Sequence, residues 1–204
     1  MQILKFVLWT WPSATASVDG FRDSRVEFHR VMARHKVDGF LGSGMFSVDT
    51  APWAGAFLFE NSPWSTGHRT VFEEWYLFHG SAALDAINER VHEGPYKESH
   101  GKFLRQDLGG ECAGLYYARK GAVEQALDGL TRPRTTLWFN KTSGTYDALL
   151  DRLGPAMGAS RCVLWRRLLV LGPTPEFHVD VDADTALPED LRPFRVRRTR
   201  LFPA

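Results

Sequence analysis

Cysteine is scarce: Cys112 and Cys162 are the only two in 204 residues, and neither belongs to a CxxC pair. That spacing excludes a disulfide-stapled scaffold and a cysteine-based zinc or redox motif. Both lie in apolar, strand-like runs and read as buried thiols in a reducing, cytoplasmic setting, with a bond between them as the alternative. An excess of one charge is lacking too, since 25 Lys and Arg stand against 24 Asp and Glu, a formal net charge of +1. Nothing in this balance requires a nucleic acid or an acidic membrane surface as partner. No apolar run is long enough to span a bilayer. The first of them, MQILKFVLWTWPS, lacks the basic start and small-residue cleavage site of a signal peptide and reads as a strand. GxSxG, Walker A and dinucleotide fingerprints are missing, so no motif supplies a nucleophile or a nucleotide site.

What is present is ordinary globular material, 44% hydrophobic and 24% charged, with 7 Trp, 5 Tyr and 14 Phe. Ile3 to Trp11 is apolar on both alternating faces, as in a strand buried on two sides. Asp19 is placed to cap a helix from Phe21 to Lys36, with Phe21, Phe28, Val31, Met32 and His35 along one stripe. Phe40 to Val48 returns as a strand; its Gly42 and Gly44 lack the Lys-Ser/Thr that would complete a phosphate loop. Ala54 to Glu60 reads as a short strand between Pro52-Trp53 and Pro63-Trp64, whose rings are expected to fold back on the core.

The organising stretch is 70–171, which reads as two successive strand–helix–strand units. The first is TVFEEWYLF, SAALDAINERVHE and ECAGLYYARKG; the second is RPRTTLWFNK, GTYDALLDRLGP and RCVLWRRLLVLG. Tyr96 to Leu108 reads as a further helix ended by Gly109-Gly110, and Gly154-Pro155 is expected to end the second unit's helix. Asp85–Val91 (DAINERV) aligns with Asp147–Leu153 (DALLDRL). The order is β-α-β-β-α-β, predicting an α+β fold with an antiparallel, ferredoxin-like sheet extended by N- and C-terminal strands. Segments 1–69, 70–171 and 172–204 are expected to form one compact domain or two tandem ferredoxin-like halves. Strands apolar on both faces require a second sheet, from this chain or from a partner.

On that element order, 70–171 resembles the dimeric α+β-barrel superfamily, whose ferredoxin-like sheets pack face to face. The resemblance implies a small apolar or aromatic ligand in a pocket on the sheet, a possible homodimer, and site residues on strands and strand ends. Glu73, Glu74 and His79 would supply acid–base chemistry if the protein is a cofactor-independent oxygenase or isomerase. Trp75, Tyr76, Tyr116, Trp138, Trp165 and His100 would line the ligand site. Some members use haem; nothing around His100 matches a haem motif, and the cofactor is left open. A ligand-free structural or dimerisation module is the third possibility.

Three further patterns carry weaker chemistry. Glu89 and His92 form Glu-x-x-His on a helix, short of the partners a metal needs, and read as a solvated face. Glu176, His178, Asp180 and Asp182 alternate with Phe177, Val179 and Val181. That pattern reads as a strand with its polar face in water rather than as a cation site. Arg192, Arg195, Arg197, Arg198 and Arg200 form a basic run without an RNA-recognition signature, and read as a charge-protected edge strand.

Overall fold

The structure is a computed structural model of the whole chain, described here over residues 2–54, 70–104, 108–132, 135–159, 162–181 and 185–203. Among the described residues there are eight strands: β1 (Ile3–Pro12), β2 (Phe40–Val48), β3 (Val71–His79), β4 (Leu108–Lys120), β5 (Thr135–Phe139), β6 (Leu164–Leu171), β7 (Phe177–Val181) and β8 (Phe194–Phe202). Five helices join them: α1 (Val18–Arg34), α2 (Gly80–Arg90), α3 (Gly94–Leu104), α4 (Val123–Thr131) and α5 (Tyr146–Ala159). The strands form one closed barrel in the order β1-β3-β2-β8-β5-β7-β6-β4, and every ladder in it is antiparallel.

Within that ring, β4-β1-β3-β2 and β8-β5-β7-β6 each lie side by side in the strand order of a ferredoxin-like sheet. The two strand–helix–strand units expected over 70–171 are both there, as β3-α2-α3-β4 and β5-α5-β6. They do not interleave with each other. The first encloses β1 and the second encloses β7, so residues 70–171 contribute two strands to each quartet. The β4–β6 and β2–β8 ladders join the quartets, and one chain supplies the second sheet that the two-sided strands require.

Closure leaves three buried layers. Inside the barrel, Val7, Trp9, Trp75, Tyr116, Trp138 and Trp165 pack together, and Ala126 and Leu130 of α4 join them. Outside the first quartet, Phe28, Val31 and Met32 of α1 meet Tyr76 and Phe78 of β3 and Ile87 of α2. Outside the second, Leu149, Leu153 and Met157 of α5 cover Leu137, Phe139, Phe177 and Val179. Burying each such side chain contributes about 1.5–3 kcal/mol, so the strands are held from both sides.

Several local expectations change for identifiable reasons. Ser17, not Asp19, caps α1 by accepting the Gly20 N–H. His35 lies exposed beyond the end of that helix. Gly109 and Gly110 belong to β4 instead of ending α3. A Cβ at these positions would sit 2.5 Å from the Pro12 carbonyl oxygen and 2.4 Å from the Trp11 ring, so the glycines serve close strand approach. Helix α5 runs through Pro155, because the bond lost there falls on the exposed Asp151 side while Met157 anchors the last turn in the core. Trp53 does fold back, edge-on to Trp9 at 5.3 Å; Trp64 and the expected strand from Ala54 to Glu60 fall, after Ala54, outside the described residues.

The turn into α2 gives a direct test. Gly39 has φ +78°, and a Cβ there would lie 2.8 Å from that of Ala83, whereas Gly80 has φ +73° with nothing within 4 Å. Gly80→Ala is expected to cost about 1 kcal/mol from backbone strain alone. Gly39→Ala adds a steric clash and is expected to cost about 2–3 kcal/mol. Urea midpoints of the two variants check this, and equal losses would contradict the placement of α2 against the α1–β2 turn.

Candidate functional site

The barrel strands carry charge inward, and the groups arrive from every side. Lys5 of β1 places Nζ 3.0 Å from His178 Nε2 and 3.3 Å from Asp180 Oδ2, both on β7. Asp180 Oδ1 accepts from Thr136 Oγ1 at 3.0 Å and from the Arg198 guanidinium of β8 at 3.2 Å. Arg198 stands 3.9 Å from Glu73, whose two oxygens accept the indole N–H groups of Trp9 and Trp75, each at 2.8 Å. Lys5 Nζ is also held over the Trp75 ring at 3.4 Å and the Trp165 ring at 4.2 Å. Two basic side chains thus face two carboxyl groups around an imidazole, and all five groups are buried.

Burial dominates their protonation. Desolvation lowers Lys5 to about 7 against the pull of Asp180. It drives His178 well below the ordinary imidazole value, helped by Lys5 and Arg198. It raises Glu73, whereas at Asp180 the attraction of Lys5 and Arg198 outweighs desolvation and the carboxyl is lowered.

A second polar cluster lies on the other side of the same strand. Desolvation would raise Glu74, but Arg25 and His29 of α1 outweigh it and hold the carboxyl down at about 2. Glu74 accepts from Tyr76 Oη at 2.7 Å, and His29 spans from Glu74 at 3.3 Å to Ser43 Oγ at 2.8 Å. The His29 ring stacks on Tyr76 at 5.0 Å and 12°. Tyr76 is raised well above the ordinary phenol value by desolvation and by Glu74, so it stays a proton donor.

Tyr76 also forms part of a cavity of about 280 Å³ between the outer face of the first quartet and its helices. The walls are Phe6 and Leu8 of β1, Phe78 of β3, Phe28 and Met32 of α1, and Leu84, Ile87 and Asn88 of α2. Val91 and His92 of the α2–α3 link and His100 of α3 complete it. His100 packs against Phe28 at 5.6 Å and meets the His92 ring edge-on at 6.0 Å. Partial burial, then His92, lowers its pKa, so the imidazole is neutral at pH 7. This is the size and lining of a small-molecule site at the low end of the usual range. Among the described residues no group of three His, Cys, Asp or Glu is placed to hold a metal ion.

The nine site residues expected from sequence are thereby distributed over four places. Tyr76 and His100 line the cavity. Trp75, Tyr116, Trp138, Trp165 and Glu73 are inside the barrel, where Trp138 and Tyr116 lie 4.1 Å and 4.6 Å from the His178 ring. Glu74 faces α1. His79 occupies the N-cap of α2 without a side-chain cap bond. Glu73 and Glu74 therefore open on opposite faces of β3 and meet no common substrate.

Other patterns invert. His178 and Asp180 point into the barrel and Phe177, Val179 and Val181 toward α5, so β7 has no wet face; Asp182 lies outside the described residues. Strand β8 is no edge, because it pairs with both β2 and β5, and Arg198 turns inward while Arg195, Arg197 and Arg200 stay exposed. Sequence reasoning passed over Lys5, Arg25 and His29. Their signal is that Lys5 is the only charge in an apolar run, and that Arg25 and His29 share the helical stripe of Phe21, Phe28 and Met32.

No protein-family model matches the chain, and no curated protein does. Among solved structures, the chain is similar to a candidate monooxygenase from Lactobacillus acidophilus, with TM-score 0.51 and 9% identity over 98% of this chain and 94% of that one. An anthrone oxidase-like protein matches with TM-score 0.49 and 10% identity over 98% and 92% of the two chains. A candidate chlorite dismutase matches with TM-score 0.49 and 12% identity over 90% and 80%. These proteins belong to the dimeric α+β-barrel superfamily, and the likeness is one of fold. The fold of this chain is that α+β barrel, with both sheets drawn from a single chain. No helix among the described residues is long and apolar enough to cross a membrane.

Lys5 makes the barrel core testable. In the unfolded chain it keeps its proton up to the ordinary lysine value; in the folded chain it releases it near 7. Folding therefore releases a proton between those values, and stability climbs as pH rises above 7, by up to about 1.4 kcal/mol per pH unit. Below 7 both states are protonated and the cost is present in full. Lys5→Met should remove this slope between pH 7 and about 9.5, read as the difference in unfolding free energy between variant and wild type.

Proposed function

We propose that the protein binds a small apolar or aromatic molecule in the cavity between β1, β3 and helices α1–α3. The observation that carries this is an apolar volume of about 280 Å³ left between a sheet face and helices that elsewhere pack closely. Most of the wall is hydrocarbon and aromatic, while Asn88 and the imidazoles of His92 and His100 offer polar contacts that orient a ligand, the Tyr76 hydroxyl being engaged by Glu74. The barrel core suits this role less. Its aromatic rings are buried against one another and its charged groups are occupied by partners from opposite strands.

A cofactor-independent oxygenase or isomerase is the second reading. Any proton transfer in the cavity would fall to His100 or His92, since Glu74 is held as an anion by Arg25 and Tyr76 holds its proton. The homodimer implied by the fold would use the exposed Leu168 and Leu169 of β6, 57% and 62% accessible, and not strand exchange, because the barrel is already closed. The two free, buried thiols suit a reducing, cytoplasmic compartment.

Calorimetric titration with a neutral apolar probe, methyl 2-naphthoate, tests the binding reading. Saturable binding is expected, together with a rise in melting temperature of several degrees at a probe concentration of about 100 times Kd. Leu8→Trp places an indole in the cavity and should abolish binding with a melting temperature equal to or above that of the wild type. Absence of saturable binding to the wild type, or undiminished binding to Leu8→Trp, would overturn the assignment.

A further inference from the structure

The cavity changes chemistry where it opens. Its inner walls are carbon, but Val91, His92 and His100 are shared with a broader depression outside, lined also by Gly94, Lys97 and Glu98. His92 and His100 stand edge to face at 6.0 Å and line both the cavity and the depression, so two imidazoles meet at the boundary. Lys97 adds an ammonium on the same side, while the carboxylate of Glu98 is engaged by Lys102 at 2.9 Å. Gly94 has φ +48° and nothing within 4 Å of where a Cβ would be, which keeps the rim low. An apolar pocket thus ends beside two imidazoles and an ammonium, with the Glu98 carboxylate of the same rim paired to Lys102.

Resting on the binding reading above, we propose that the natural ligand is a carboxylic acid of modest size. Its apolar body fills the cavity and its carboxylate lies at the mouth between His92, His100 and Lys97. A cavity of about 280 Å³ suits a ligand of modest size, such as a bicyclic aromatic acid or a medium-chain aliphatic one. The carboxylate gains charge-assisted hydrogen bonds from the imidazole N–H groups and from Lys97. A neutral ester or alcohol of the same body keeps the burial and loses those bonds. A cationic head group would meet Lys97 and find the one rim carboxylate, Glu98, already paired.

The experiment compares 2-naphthoate with methyl 2-naphthoate by isothermal titration on the wild type, on His92→Gln/His100→Gln and on Lys97→Met. The wild type is expected to bind the acid roughly ten- to a hundredfold more tightly than the ester, the advantage of charge-assisted hydrogen bonds. In the double histidine variant the ratio of the two affinities should fall to near one, and in Lys97→Met to an intermediate value. The ester serves as the internal control for folding and for an intact pocket. Equal affinity for acid and ester in the wild type, or an unchanged ratio in the histidine variant, overturns this proposal and leaves the apolar binding site standing. Failure of both probes to bind the wild type overturns both.

Discussion

Closing the strands into a ring gives each of them an inward face shut off from water, and much of this molecule follows from that constraint. Strands β1, β3 and β7 separate two buried volumes, the barrel core on one side and a helical layer on the other, whereas β8 and the end of β6 keep an exposed outer face. Any charged residue on such a strand must therefore find its counter-charge inside the protein, since an unpaired buried ion costs several kcal/mol. Strand β3 shows the consequence in adjacent positions. Glu73 turns inward to Arg198 and two indole N–H groups, and Glu74 turns outward to Arg25, His29 and Tyr76.

These two clusters tie distant parts of the chain together. The inner one joins β1, β3, β5, β7 and β8, so both ferredoxin-like quartets share a single ionic core. The outer one fastens α1 to β2 and β3. Hydrophobic packing alone would tolerate small slips of a helix along a sheet. A buried guanidinium seated on a carboxylate does not, because a shift of one residue would strand both charges. The cavity lies beside this anchored helix, between it, α2 and α3, and His92 of the α2–α3 link and His100 of α3 line it where it meets the outer depression.

Much of the architecture was legible in the residues. Apolar side chains on both faces of β1 and β4 announced strands buried twice over, and the GTYDALLDRLGP stretch announced α5. The glycines misled, because Gly109 and Gly110 carry the signature of a helix stop while their role is to let β4 approach Trp11 and Pro12. The DAINERV–DALLDRL likeness misled in another way. It links α2 and α5, helices of two different quartets, through the patterning any amphipathic helix shares. His178, Asp180 and Arg198 were read as solvent-facing because polar alternation has the same period whether the polar side meets water or a buried counter-ion.

The sequence by itself determined the element types, the antiparallel α+β character and the need for a second sheet, since these depend on local periodicity and on how much apolar surface each strand exposes. Which strands lie side by side, which charges meet and where a cavity is left were decided only by tertiary structure. Lys5 and Asp180 are 175 positions apart, and nothing in the spacing of either indicates that a closed ring will place them 3.3 Å from each other. Long-range pairing is a property of the closed barrel, because only closure sets which inward-facing side chains share the same interior level.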